Sequence, residues 1–172
     1  MTTVVKTILS TMLLVSILQF LRAERSYDLI IEDVLVSTYN KEYFTEPDLY
    51  IDDSNALIVN ISIIKQFPIG TEDRLKIMAA SMGEYVIDIG IDVKMDFCDS
   101  LEEPIVMGPL FKALGFDADN CPPGVGVYGS VGYQIPMEQL PDGFMPNNYK
   151  VILDIFYEAQ NLITLHLFSK VT

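Results

Sequence analysis

Two cysteines, Cys98 and Cys121, stand 23 positions apart in the stretch MDFCDSLEEPIVMGPLFKALGFDADNCPPG, Met95 to Gly124. Such a pair could be a disulfide, half of a metal site, a redox couple or two core thiols. A structural zinc needs four ligands, and besides the thiols the chain offers one histidine, His166. A redox pair normally takes C-x-x-C spacing. His166 sits in the apolar segment LITLHLF without a recognisable nucleophile or carboxylate motif, which makes it a poor general base. Asp88, Asp92 and Asp96 are spaced four apart. On a helix they would share a face, but on a strand each step covers about 13 Å, too far to share a cation whose oxygen ligands lie at about 2.3–2.6 Å. GVGVYG, Gly124 to Gly129, matches G-x-G-x-x-G. That motif requires a helix after it to hold a pyrophosphate. Here Cys121-Pro122-Pro123 precedes it and a glycine-rich strand follows, so the glycines read as bulges or close backbone approaches. No enzyme activity, cofactor or metal is expected.

The N-terminus bears on the fate of the cysteines. Lys6 precedes an apolar run from Ile8 to Leu21, and Ala23 offers a small residue for cleavage. This is the layout of a secretory signal peptide, residues 1–23. The run is about 14 residues long, short of the roughly 20 that cross a bilayer, so a retained anchor is the weaker alternative. Residues 24–172 then form one domain, long enough for a real core. In an oxidising compartment two cysteines most simply pair with each other. A Cys98–Cys121 disulfide is therefore predicted, contributing about 3 kcal/mol by loop entropy. Without Lys6 and Arg22, nine basic and 24 acidic residues remain, a formal charge of −15. Such a surface repels nucleic-acid phosphates and anionic head groups. Asn60-Ile61-Ser62 is the one glycosylation sequon, at Asn60.

The elements that would position these residues are mostly strands. YVIDIGIDVKMDF places Tyr85, Ile87, Ile89, Ile91, Val93, Met95 and Phe97 on one face, with Asp88, Asp92 and Asp96 on the other. ALIVNISII puts Leu57, Val59, Ile61 and Ile63 inward and Asn60 outward, while YKVILDIFYE sets Val151, Leu153, Ile155 and Tyr157 against Lys150, Asp154 and Glu158. Ala159-Gln160-Asn161 reads as a turn into a last strand. Less regular strands are expected near Tyr27 to Val36 and Leu75 to Met82. Many strands divided by turn signals predict an all-β sandwich or cup. One short helix is expected between the cysteines, begun by Gly108-Pro109, carrying Leu110, Phe111 and Leu114, and ended by Gly115. YQIPMEQLPDGFMPNN carries three prolines and cannot be a central strand. Its apolar residues must meet the core, a ligand pocket or another protein.

The order of a signal peptide, N-I-S in a strand, Asp96-Phe97-Cys98, Asn120-Cys121-Pro122, Leu140-Pro141 and Tyr149-Lys150-Val151 resembles a large secreted insect family. That domain of unknown function includes the CheB-type chemosensory proteins. It is distantly similar to the ML lipid-recognition superfamily, which includes the ganglioside activator. The likeness covers most of the mature chain and implies an immunoglobulin-like sandwich or cup whose sheets part around an apolar molecule. ML relatives often carry additional disulfides, which two cysteines cannot supply. Members commonly show Pro-x-Gly-x-Tyr, whereas Pro146-Asn147-Asn148-Tyr149 is one residue shorter and lacks the glycine.

The expectation is a secreted, non-enzymatic protein that binds a lipid or other small hydrophobic ligand, in chemosensory perception with a membrane receptor as a further partner. Ile87, Ile89, Ile91, Val93 and Met95 would line the site, facing Leu153, Ile155 and Tyr157. Leu110, Phe111 and Leu114 would close one end, with Met137, Leu140 and Phe144 at the rim. The alternative is an extracellular interaction module whose core is filled, working through its acidic surface and the proline-rich loop.

Overall fold

The structure, a computed structural model, describes residues 28–135 and 144–172. The expected signal peptide, Met137 and Leu140 lie outside the described residues. Strands β1 (Leu29–Tyr39), β2 (Asp48–Ile51), β3 (Leu57–Ile63), β4 (Glu72–Ser81) and β5 (Glu84–Asp96) come first. Helices α1 (Phe97–Ser100) and α2 (Met107–Ala113) and a 3₁₀ turn (Ala118–Asn120) follow, then β6 (Gly126–Tyr133), β7 (Asn147–Tyr157) and β8 (Gln160–Val171). They form two antiparallel sheets, β1-β8-β7-β4-β5 and β2-β3-β6. The fold is an all-β sandwich, with the helices inserted between β5 and β6.

Alternation decides which faces meet. Leu57, Val59, Ile61 and Ile63 of β3 are buried, as are Leu75 and Ile77 of β4 and Leu153 and Ile155 of β7. On one side the sheets are tied by Asn55. Its carbonyl accepts the Ile31 N–H at 2.8 Å and its amide donates to Leu29 O at 3.2 Å, linking β1 to the β2–β3 turn. On the other side α2 bridges the gap, and Gly129 N–H of β6 donates to Leu114 O at 2.9 Å.

The long strand departs from its expected single inward face. β5 is the outer strand of its sheet, and its register against β4 shifts twice, between Lys76 and Met78 and between Ala79 and Ala80. Extra residues around Gly90 (φ 82°) and at Val86 take up the mismatch. The second shift turns Tyr85 away from Ile87, so that its ring packs 5.3 Å from Phe168. Ile87 is 44% exposed and Val93 39%, in keeping with the outer position of β5 in its sheet.

Turn chemistry accounts for two boundaries. β4 and β5 are joined by Met82 (φ 53°) and Gly83 (φ 86°), the left-handed pair that suits the twist of a two-residue hairpin. The last hairpin turns at Glu158 (φ 53°) and Ala159, and Gln160 and Asn161 already belong to β8. The expected turn is thus displaced, since Glu158 takes a left-handed conformation that its residue type does not advertise.

Candidate functional site: an apolar interior between the sheets

Cys98 and Cys121 are disulfide-bonded, with Cα atoms 5.7 Å apart. Asp96 caps α1 by accepting the Cys98 N–H at 2.8 Å, so the half-cystine is held at a defined helix start. Beside the bridge runs an aromatic cluster. Phe97 lies 4.8 Å from Phe111 and 5.5 Å from Phe116, which stacks on Tyr128 at 4.4 Å. The clip therefore closes one end of the sandwich with a packed aromatic plug.

Past this plug the interior is less completely filled. A cavity of about 80 Å³ lies between the sheets. The large sheet contributes Ile31 and Val34, Leu165 and Leu167, Val151 and Leu153, and Leu75. Leu49, Leu57 and Val59 face them from the small sheet, with Tyr133 and Ile135 at the end of β6, and Val106, Met107, Leu110 and Leu114 come from the helical segment. A second cavity of about 200 Å³ adjoins it, bounded by Ile77, Ile91, Val93, Glu103, Ile105 and Phe144, and sharing Leu75, Val106 and Met107 with the first.

Among the described residues, Tyr133 is the polar side chain lining the first cavity. Its hydroxyl is buried without a hydrogen-bond partner among the described residues. Burial, reinforced by the negative charge of Glu103, pushes its pKa up to about 12. A slip in register between Leu57 and Ile58, taken up at Gly132 (φ 152°), turns Tyr133 away from the face of Val131. Glu103 fixes the helical wall, accepting the N–H groups of Ile105, Val106 and Met107 at 2.9, 2.7 and 2.8 Å.

A second buried polar group lies near this wall. Asp73, on the inward face of β4, is 0% exposed, and neither carboxylate oxygen has a hydrogen-bond partner among the described residues. Burial pushes its pKa up to about 7, and the charges of Asp96 and Glu103 act in the same direction. The nearby Ser100 hydroxyl opposes the shift, although it donates to Phe97 O at 2.7 Å.

The expected lining residues divide among different places. Leu110, Leu114 and Leu153 line the first cavity; Ile91, Val93 and Phe144 line the second. Ile89 packs with Ile77, Ala79, Tyr149 and Val171 instead, while Met95, Ile155 and Tyr157 join the main core. Phe111 belongs to the aromatic plug, about 100° around the helix from Leu110. Ile87 lines neither cavity. Leu57, Val59 and Val151 were legible as inward from alternation, whereas Tyr133 depends on the slip at Gly132, which residue types alone do not reveal.

The other chemical candidates lie on outer faces. Arg74 holds Asp92 through both carboxylate oxygens, Nε–Oδ1 at 2.6 Å and Nη2–Oδ2 at 2.5 Å, and Lys76 reaches Asp88 at 3.1 Å. The Asp88 carboxyl is held below its usual range by the Gly90 N–H and then by Lys76, and that of Asp92 by Arg74. His166 lies 6.4 Å from Phe168, and partial burial and Lys150 lower its pKa. GVGVYG runs into strand β6, where a side chain on Gly129 would meet Val59 O at 2.3 Å. Asn60 is exposed at the centre of β3. Among the described residues no helix is long and apolar enough to cross a membrane. No protein-family model and no curated protein matches the chain.

Proposed function

We propose that this protein is a secreted, non-enzymatic carrier of a lipid or other small hydrophobic molecule. The observation that carries the reading is the pair of adjoining cavities, whose walls among the described residues are apolar apart from Tyr133 and Glu103. An apolar molecule placed there exchanges water for side chains on most of its surface, at roughly 25 cal/mol per Å². Met107 stands at the boundary of the two cavities, and an unbranched thioether re-packs readily, so one elongated ligand can occupy both. The disulfide accords with an oxidising compartment, and the sequence resemblance to CheB-type proteins supports a role in chemosensation with a membrane receptor downstream.

Protein secreted from eukaryotic cells should carry an extractable apolar molecule in native mass spectrometry, or bind a fluorescent apolar probe with one-to-one stoichiometry. Val151→Phe, which adds bulk to the first cavity wall, should weaken the probe by about tenfold or more while leaving the fold intact. Neither copurifying ligand nor probe binding would leave the filled-core interaction module as the better reading.

A further inference from the structure

Among the described residues, two polar side chains, Tyr133 and Glu103, lie at the walls of the cavities. Among the described residues, no lysine, arginine or histidine lines either cavity. The titratable carboxylate present, Glu103, already accepts three backbone N–H groups and adds negative charge at the second cavity. A carboxylate or phosphate head group taken inside would lose its hydration, find no counter-charge and face Glu103, a costly arrangement. A bare hydrocarbon meets no such penalty, but it leaves the buried Tyr133 hydroxyl unpaired, as it is now. With its pKa pushed up to about 12, that hydroxyl keeps its proton at any physiological pH.

We infer that the preferred ligand is an uncharged chain molecule bearing an oxygen acceptor, an ester, ketone, aldehyde or alcohol, whose oxygen takes the hydrogen bond of Tyr133. The inference rests on the carrier reading and specifies its ligand class. The chain lies against Leu110, Val151, Leu153 and Leu165, and the oxygen sits at the β6 end beside Tyr133.

The test uses the full protein and a neutral dye, N-phenyl-1-naphthylamine, displaced by four competitors built on a twelve-carbon chain: dodecane, dodecyl acetate, dodecanol and, at pH 8, dodecanoate. Dodecyl acetate and dodecanol should displace the dye at about five- to tenfold lower concentration than dodecane, the worth of one buried hydrogen bond. Dodecanoate should be the weakest. In Tyr133→Phe the gap between acetate and dodecane should close to within about twofold. The infrared carbonyl stretch of bound dodecyl acetate in the wild type should fall below its position in alkane, a readout that needs no variant. Dodecanoate equal to the acetate, a gap that survives in Tyr133→Phe, or an unshifted carbonyl would overturn the assignment while leaving an apolar carrier. Failure of the folded protein to bind the dye or any competitor would overturn the carrier reading as well.

Discussion

The carboxylate of Glu103 accepts the backbone N–H of Met107 at 2.8 Å, and this contact sets where α2 begins. The same oxygen accepts the Val106 N–H at 2.7 Å. Gly108 packs so closely that a side chain there would meet Glu103 O at 2.1 Å. Val106 and Met107 border both cavities, so the same carboxylate positions the cavity wall as well as the helix start. Glu103→Ala is expected to cost about 0.5–2 kcal/mol, the range for losing a side-chain acceptor at a helix start, and to weaken probe binding in parallel. Glu103→Gln, which keeps an acceptor, should retain most of both. Urea unfolding and probe titration of the two variants check this, and an Ala variant as stable as wild type would show the cap to be dispensable.

The Cys98–Cys121 bridge should stabilise the fold by about 3 kcal/mol, the loop-entropy value for this separation. Cys98→Ser/Cys121→Ser, unfolded in urea beside the wild type, measures that difference. Alkylation of the non-reduced wild type should label neither cysteine. Because the bridge adjoins the aromatic plug, the double variant should lose near-ultraviolet circular dichroism before its strand signal.

Legibility in the sequence followed regularity. Leu57 to Ile63 and Val151 to Ile155 alternate cleanly, and their inward residues are buried or half-buried in the core. Tyr85 to Met95 alternates just as cleanly, yet its apolar face is divided by two register shifts and by its position at a sheet edge. Residue types record neither. β2 is four residues long, DLYI, too short to show a period. Tyr133 is turned to the cavity side by a slip at Gly132, and Asp73 is buried within EDRLKIM, where an acidic residue next to Glu72 and Arg74 reads as surface.

Asn60 is predicted to carry an N-linked glycan. It stands opposite Asp48 on β2 and Gly129 on β6, and the outer face around it is apolar. Val127 is 74% exposed, Val131 97% and Tyr50 52%. A glycan rising from Asn60 would shield this patch. Peptide-N-glycosidase treatment of protein expressed through a eukaryotic secretory route should lower its mass, and Asn60→Gln should lack that step and self-associate more at high concentration. An unchanged wild-type mass would remove the prediction.

Asp73 makes stability depend on pH with a definite sign. In the folded state its carboxyl holds a proton up to about pH 7, chiefly because it is buried, with Asp96 and Glu103 adding repulsion and the Ser100 hydroxyl opposing it. In the unfolded chain an aspartate ionises near pH ~4. Between these values the folded state binds the proton that the unfolded state has released, so this group's contribution to stability falls as pH rises from about 4 to about 7 and is level above that. At about 1.4 kcal/mol per unit, the fall is on the order of 4 kcal/mol. Asp73→Asn keeps the shape without the titration. Urea unfolding at pH 4, 5.5, 7 and 8.5 should show the variant gaining on the wild type through this window, with a constant offset above it. Parallel pH profiles for the two proteins would mean that Asp73 does not hold its proton in the fold.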